Sequence, residues 1–245
     1  MIIIKKATLS ELVCDDYRLA SVFKNYGIDY YCRGERTVEE VCVSKNIKRK
    51  VLVCDLQNAV IATQKDHLDF HLWTMNQLTS YIEKRHHSYV EIMAPVILDY
   101  LYILCREYGD LRPDILCIME LFTTVIKKIE NHNNKERLIL FPYIRKIESL
   151  ELEGEIMDNN CLGIMQIQMQ TIIQENNFEG QHFLEIRELC NNYIPQQQIS
   201  RTYTIVLELL NDFESKLELQ LHLENNLLFP KSLEAETNLL KTQSN

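Results

Sequence analysis

Glu136-Arg137-Leu138-Ile139-Leu140-Phe141-Pro142 recurs 88 residues later as Glu224-Asn225-Asn226-Leu227-Leu228-Phe229-Pro230, with Glu, Leu, Phe and Pro in register. Such self-similarity marks a chain built from copies of one supersecondary unit. In each copy an amphipathic pattern leads to the glutamate. The proline, which lacks an N–H and crowds the preceding turn, is expected to end the helix. Upstream of the first copy, Ile115, Ile118, Leu121, Phe122, Val125 and Ile129 recur at helical spacing. Before them Leu78, Ile82, Val90, Met93, Val96 and Ile97 mark an earlier helix from Trp73 to about Cys105. A third helix is predicted over about 163–189 and a fourth over about 200–227, separated by Asn191-Asn192-Tyr193-Ile194-Pro195. Helices two and four are copies, and helices one and three accompany them. The fold class is therefore all-α, an antiparallel four-helix bundle.

The composition agrees. With 6 Gly and 5 Pro in 245 residues, the chain lacks the turn-formers that a β-sandwich or barrel needs. The dispersed glycines form no phosphate-cradling loop, which excludes P-loop and Rossmann enzymes. A net charge of −9 leaves no basic stripe for phosphate contacts, so no nucleic-acid partner is expected. No apolar run approaches the roughly 20 residues of a spanning helix, and a cytoplasmic protein without membrane contact is expected. The eight cysteines (14, 32, 42, 54, 105, 117, 161 and 190) contain no C-x-x-C pair and read as reduced thiols, mostly in the core.

Ahead of the bundle, Leu12, Val13, Leu19, Val22 and Phe23, then Val38, Val41 and Cys42 behind the cap signal Thr37-Val38-Glu39-Glu40, outline short helices. A loop, Tyr26-Gly27-Ile28-Asp29-Tyr30-Tyr31-Cys32-Arg33-Gly34, lies between them. The expected organisation is a small helical domain at 1–62, a linker at 63–71, the bundle at 72–232 and a tail at 233–245.

His132 precedes Glu136 by four residues, which stacks imidazole and carboxylate on one helical face within reach of a common ion. His87 stands 45 residues before His132, the length of one helix, a turn and most of an antiparallel neighbour. Two imidazoles and a carboxylate would meet in the bundle core.

These features together resemble the iron-sulfur cluster repair di-iron proteins, in which a small ScdA-type domain precedes a hemerythrin-like HHE bundle. The leading part, residues 22–34 with Thr37-Val38-Glu39-Glu40, is similar to the small domain. Tyr81-Ile82, His86-His87, His132 to Pro142, Ile186-Arg187-Glu188-Leu189 and Leu223 to Pro230 are similar to the bundle. In that family each half-bundle supplies one His and an H-x-x-x-E, and the two glutamates bridge two irons. The resemblance implies metal ligation by His87, His132 and Glu136 from the first half and Glu224 from the second. His87 is preferred over His86 because it keeps the family's distance to Pro95.

The second half departs from the pattern, with Asn176 and Gln220 standing where the family has histidines. His222 and His182 lie roughly 200° and 240° round their helices from those positions and do not simply substitute. His67, His71 and His182 read as ordinary surface or half-buried residues. In the leading domain the family's Cys-Cys pair is reduced to Cys32 beside Tyr31, which excludes chemistry between neighbouring thiols but leaves Cys32 as a candidate cofactor-binding, transfer or docking residue.

The resemblance implies a non-haem iron protein that maintains or repairs iron-sulfur clusters under nitrosative or oxidative stress, with iron-sulfur proteins as clients and a homodimer as one assembly. The expected load is one ion, iron with Zn or Mn as substitutes, and a weak or empty second position. Its role is that of a metal-binding stress protein more than of a classical enzyme. The alternative is a diverged homologue with a degenerate site that acts as a binding or regulatory protein.

Overall fold

The computed structural model describes residues 7–62, 69–154, 164–195 and 200–243; His67, Cys161 and most of the 63–71 linker lie outside them. Four short helices form the leading domain: α1 (Leu9–Asp15), α2 (Leu19–Asn25), α3 (Val38–Ser44) and α4 (Arg49–Ala62). The cap read at Thr37 is present as a reciprocal pair, with the Glu40 N–H donating to Thr37 Oγ1 at 3.3 Å and the Thr37 N–H to Glu40 Oε2 at 2.7 Å. Thr8 caps α1 in the same way, and a single backbone bridge joins Thr8 to Thr37. The fourth helix was not read from the sequence, since among its described side chains only Leu52 and Leu56 are fully buried.

After a 3-10 turn at Phe70–Leu72, which ends the stretch read as linker, come the long elements. α5 (Met75–Tyr81), a π turn (Ile82–His87) and α6 (Ser88–Tyr108) form one continuous helix. α7 (Pro113–Lys135), a π turn (Glu136–Leu140) and α8 (Phe141–Glu153) form the second. α9 (Ile164–Leu189) is the third. α10 (Arg201–Leu223), a π turn (Glu224–Leu228) and α11 (Phe229–Gln243) form the fourth. α6 and α9 each pack against α7 and α10, which gives the expected all-α bundle; the described residues contain no strand.

Two expectations change. Pro142 and Pro230 do not end their helices. In both copies the Phe before the proline donates its N–H five residues back, Phe141 to Glu136 O and Phe229 to Glu224 O. An i→i+5 turn is wider than an α turn, and it leaves room for the ring that would clash in a regular helix. The segment read as a tail therefore continues as helix through Gln243 and buries Ala235 and Leu239 beside α8.

Met75–Tyr108 spans 34 residues and holds a stretch of mean hydropathy 1.5, so by length and composition it is apolar enough to cross a membrane. The broken apolar pattern of the sequence hides this, because the helix divides its apolar residues between two faces. Val90, Ala94, Ile97, Leu101 and Leu104 face the bundle core, while Ile92, Tyr102 and Ile103 lie exposed.

The apolar interior divides into two clusters. One fills the leading domain and the α6, α7, α9 and α10 segments around the Phe122, Phe183 and Phe213 rings. The other joins α5, α8 and α11 through Leu78, Phe141, Ile144, Leu228 and Phe229. Between them lies a layer of buried polar side chains.

Candidate metal centre

The three π turns mark that polar layer. His87 is the last residue of the first turn, Glu136 the first of the second and Glu224 the first of the third. Each turn inserts one extra residue, which rotates the following helix by about 100°. Without it, a residue facing the core on one side of the layer would be out of register on the other. One donor atom each from His87, Glu136 and Glu224 lies within 4.8 Å of the others, and all three side chains are buried.

His87 Nε2 is 3.1 Å from Glu136 Oε2, and the His87 ring stacks on Phe141 at a centroid distance of 5.6 Å. From α7, His132 places Nε2 3.3 Å from Glu136 Oε1 and 3.8 Å from Glu224 Oε2. Its other nitrogen, Nδ1, is 3.1 Å from Glu179 Oε1 on α9. That carboxylate fixes the ring so that Nε2 faces the glutamates, an arrangement typical of metal-ligating histidines. His87, His132, Glu136 and Glu224 thus meet at one point in the core. Glu179 was missed by the sequence reading. Its signal is the spacing to Asn176: three residues on, it shares the inward face of α9.

Three carboxylates and two imidazoles are buried here, and among the described residues the ion-pair partners of Glu136, Glu179 and Glu224 are histidines alone. Buried carboxylates without countercharge are costly, and protons relieve the cost. Burial, reinforced by Glu136, pushes the Glu224 carboxyl well above its usual range. Burial also raises Glu179 against the pull of His132. For His132 burial works downward, but Glu136 and Glu179 overcome it and the imidazole is driven well above its ordinary value. Glu136 itself stays low, because His132 and His87 outweigh its burial. The raised proton affinity of His132 and Glu224 is the response of the site to its excess negative charge. Among the described residues His132 Nε2, Glu136 Oε1, Glu224 Oε1 and Asn176 Oδ1 have no hydrogen-bond partner. A buried nitrogen and oxygen donor set with unused lone pairs and excess negative charge suits one divalent cation.

The second half is built differently. The Asn176 amide donates to Glu224 Oε2 at 3.0 Å and to Asn225 Oδ1 at 2.8 Å. Gln220 donates to Asn133 Oδ1 at 3.2 Å. Both amides are buried. Where imidazoles would bring lone pairs to a second ion, these positions bring N–H groups, one of which occupies a lone pair of the Glu224 carboxylate. The other histidines stand apart. His86, with its ring edge toward Tyr81, is pulled down to about 4 by burial. His222 faces Cys14 Sγ at 3.8 Å and Asn226 Nδ2 at 3.0 Å instead of the glutamates. His182 is held by Phe178 O at 2.9 Å, and His71 is exposed.

Cys32 is not in the cluster. Its thiol lies 3.7 Å from the Asn176 carbonyl, on the outer side of α9. Burial and Asp29 push the thiol far above its usual value, which keeps it protonated. Tyr31 and Cys32 pack directly on α9 because residue 180 is glycine. A Cβ there would stand 2.8 Å from Tyr31 Cε2 and 3.1 Å from Cys32 Sγ. Asn225 and Asn226 each donate to Tyr31 O at 3.4 Å. Lys24 donates to Ser215 Oγ at 2.5 Å and lies 3.4 Å from Glu214, which shares Arg187 with Glu218. These contacts hold the leading domain on α9 and α10.

Residues 5–60 match the ScdA_N family, described as a domain of unknown function (DUF542). Over 229 residues the chain is 23% identical to the iron-sulfur cluster repair protein ScdA of Staphylococcus haemolyticus, covering 94% of this chain and 99% of that one. It is 24% identical over 229 residues to the iron-sulfur cluster repair protein YtfE of Pectobacterium atrosepticum, covering 94% and 97%. Against YtfE of Escherichia coli O8 the identity is 24% over 230 residues, covering 93% and 97%. The leading residues 5–60 thus match the ScdA_N family, and nearly the whole chain is similar, at 23–24% identity, to iron-sulfur cluster repair proteins.

Proposed function

We propose that this protein is a cytoplasmic non-haem iron protein that serves the repair or maintenance of iron-sulfur clusters under nitrosative or oxidative stress, and that it holds one ion. The reading rests above all on the buried group of His87, His132, Glu136 and Glu224, whose unused donor atoms are enclosed with more negative than positive charge. His87 and His132 would supply imidazole nitrogens, and Glu136 and Glu224 carboxylate oxygens. A bound iron would supply a redox-active or releasable metal for the damaged cluster. Glu179 orients His132 by accepting a hydrogen bond from its Nδ1–H, while Phe141 and the apolar residues beyond it exclude water from the His87 side. A cation would compete with protons for His132 and Glu224, so binding weakens as the pH falls.

A second reading is favoured by Asn176, whose N–H already engages one oxygen of Glu224: a relative that keeps the bundle as a binding or regulatory module without metal. Metal analysis of protein reconstituted anaerobically with ferrous iron separates the two. About one iron per chain, lost in His132→Ala, supports the first reading. A metal-free protein after reconstitution overturns it.

A further inference from the structure

Between the leading domain and the outer face of α9 lies a cleft of about 320 Å³, lined by Asp29, Cys32, Arg33, Arg36 and Lys45 on one side and by Asn177 and Gln181 on the other. We propose that this cleft is a binding site for a small organic polyanion bearing two or more carboxylate or phosphate groups.

In a chain of net charge −9, three cationic side chains around one cleft run against the overall balance. Among the described residues none of the three forms an ion pair, and the one carboxylate on the lining, Asp29, offsets only part of their charge. Arg36 is held by backbone carbonyls, Nε to Arg33 O at 3.2 Å and Nη2 to Asp29 O at 3.0 Å. These bonds fix the guanidinium without neutralising it. The nearby acid, Glu40, is turned to the cap of α3, where it accepts from the Thr37 N–H at 2.7 Å and from Oγ1 at 2.9 Å. Asp29, the acid lining the cleft, has Oδ1 engaged by the backbone N–H groups of Tyr31 at 3.2 Å and Cys32 at 2.8 Å. Lys45 reaches across the loop at Gly27, with Nζ 3.6 Å from where a Cβ of residue 27 would stand.

The α9 wall adds neutral polar groups. Asn177 Oδ1 is enclosed without a partner, and Gln181 is exposed beside it. The volume falls at the small end of ligand sites, about 300–1,000 Å³. Guanidinium groups match the planar oxygens of carboxylate and phosphate, and Arg36 is already immobilised, which lowers the entropic cost of binding. The neutral Cys32 thiol lines the wall and brings no negative charge, so the site binds without covalent chemistry. It is separate from the candidate metal centre: Asn177 and Gln181 lie on the outside of the helix whose inside carries Asn176 and Glu179.

The test is calorimetric titration of the full chain, as purified and after dialysis against a chelator, with citrate, 3-phosphoglycerate and inorganic phosphate at low salt, and with glycerol as a neutral control. Saturable binding of citrate or 3-phosphoglycerate is expected, weakened by added salt, and the tighter of the two identifies carboxylate or phosphate as the natural group. Arg33→Gln and Lys45→Gln, both exposed and safe for folding, should each weaken binding several-fold, and Arg36→Gln by roughly tenfold, as loss of a charge-assisted hydrogen bond implies. Absence of saturable binding overturns the proposal. So does binding that survives in Arg33→Gln/Lys45→Gln unchanged, or that vanishes with the metal, since the anion would then be ligating the ion. The outcome is independent of whether iron is the native metal.

Discussion

The two halves of the bundle share a backbone and differ in chemistry. Each carries a glutamate at the start of a π turn followed by Leu-Phe-Pro, and each continues as helix beyond the proline. Around the first glutamate stand two imidazoles; around the second stand amides that donate hydrogen bonds to it or to its neighbours. The second half also carries the leading domain, through Gly180, Glu214 and Ser215. Packing signatures and ligand signatures are therefore separable. The wide turn and the phenylalanine are required by the helix path, whereas the identity of an inward polar residue is set by what must be balanced there.

Removing the central imidazole should give the largest effect. His132→Ala leaves Glu136, Glu179 and Glu224 buried without their shared countercharge. It should abolish metal binding and cost the metal-free protein about 3–5 kcal/mol, read from urea unfolding. A variant with undiminished stability would show that the carboxylates are already neutral and that the halves differ less than their chemistry suggests. Asn176→His with Gln220→His tests the contrast from the other side, by restoring imidazoles to the second half. Metal content should rise from one ion to two per chain, and unchanged stoichiometry would mean that Glu224 cannot turn from its amide partner to an ion.

The second half should also show a pH signature of its own. Burial, aided by Glu214 and opposed by Lys24 and Arg187, raises the Glu218 carboxyl from the ordinary carboxylate range to about 7. The folded state then binds the extra proton more tightly than the unfolded chain. This contribution is full below about pH 4.5 and is lost as the pH climbs to 7, a decline of up to ~3 kcal/mol. Glu218→Gln should flatten that part of the stability profile between pH 4.5 and 8. A smaller cost, about 1–3 kcal/mol, is expected for Gly180→Ala, whose methyl would press on Tyr31 and Cys32. Faster proteolysis within residues 7–62, with metal content unchanged, would assign Gly180 to docking rather than to the site.

Much of this was legible in the sequence because the decisive signals are local and repeated. Glu136 and Glu224 share a seven-residue frame, and His132 stands one helical turn from Glu136. Glu179 was not legible: its meaning depends on the register of α9, fixed only once Asn176 faces Glu224. The helix beyond Pro142 and Pro230 was also hidden, since a π turn has no propensity signature and proline ordinarily signals an end. Helix α4 escaped notice because two leucines suffice to bury its inner face, too few to set a visible period. The basic cleft could not be read either, because Arg33 and Arg36 are brought opposite Asn177 and Gln181 only by the docking of the leading domain.

The proposed single ion sits among the two imidazoles of the first half and both glutamates, and the amides Asn176 and Gln220 of the second half hold none. An anomalous difference map at the iron edge, from crystals of ferrous-loaded protein, tests it most directly. One peak is predicted, bounded by His87, His132, Glu136 and Glu224. Two peaks of comparable height, or none, would contradict it.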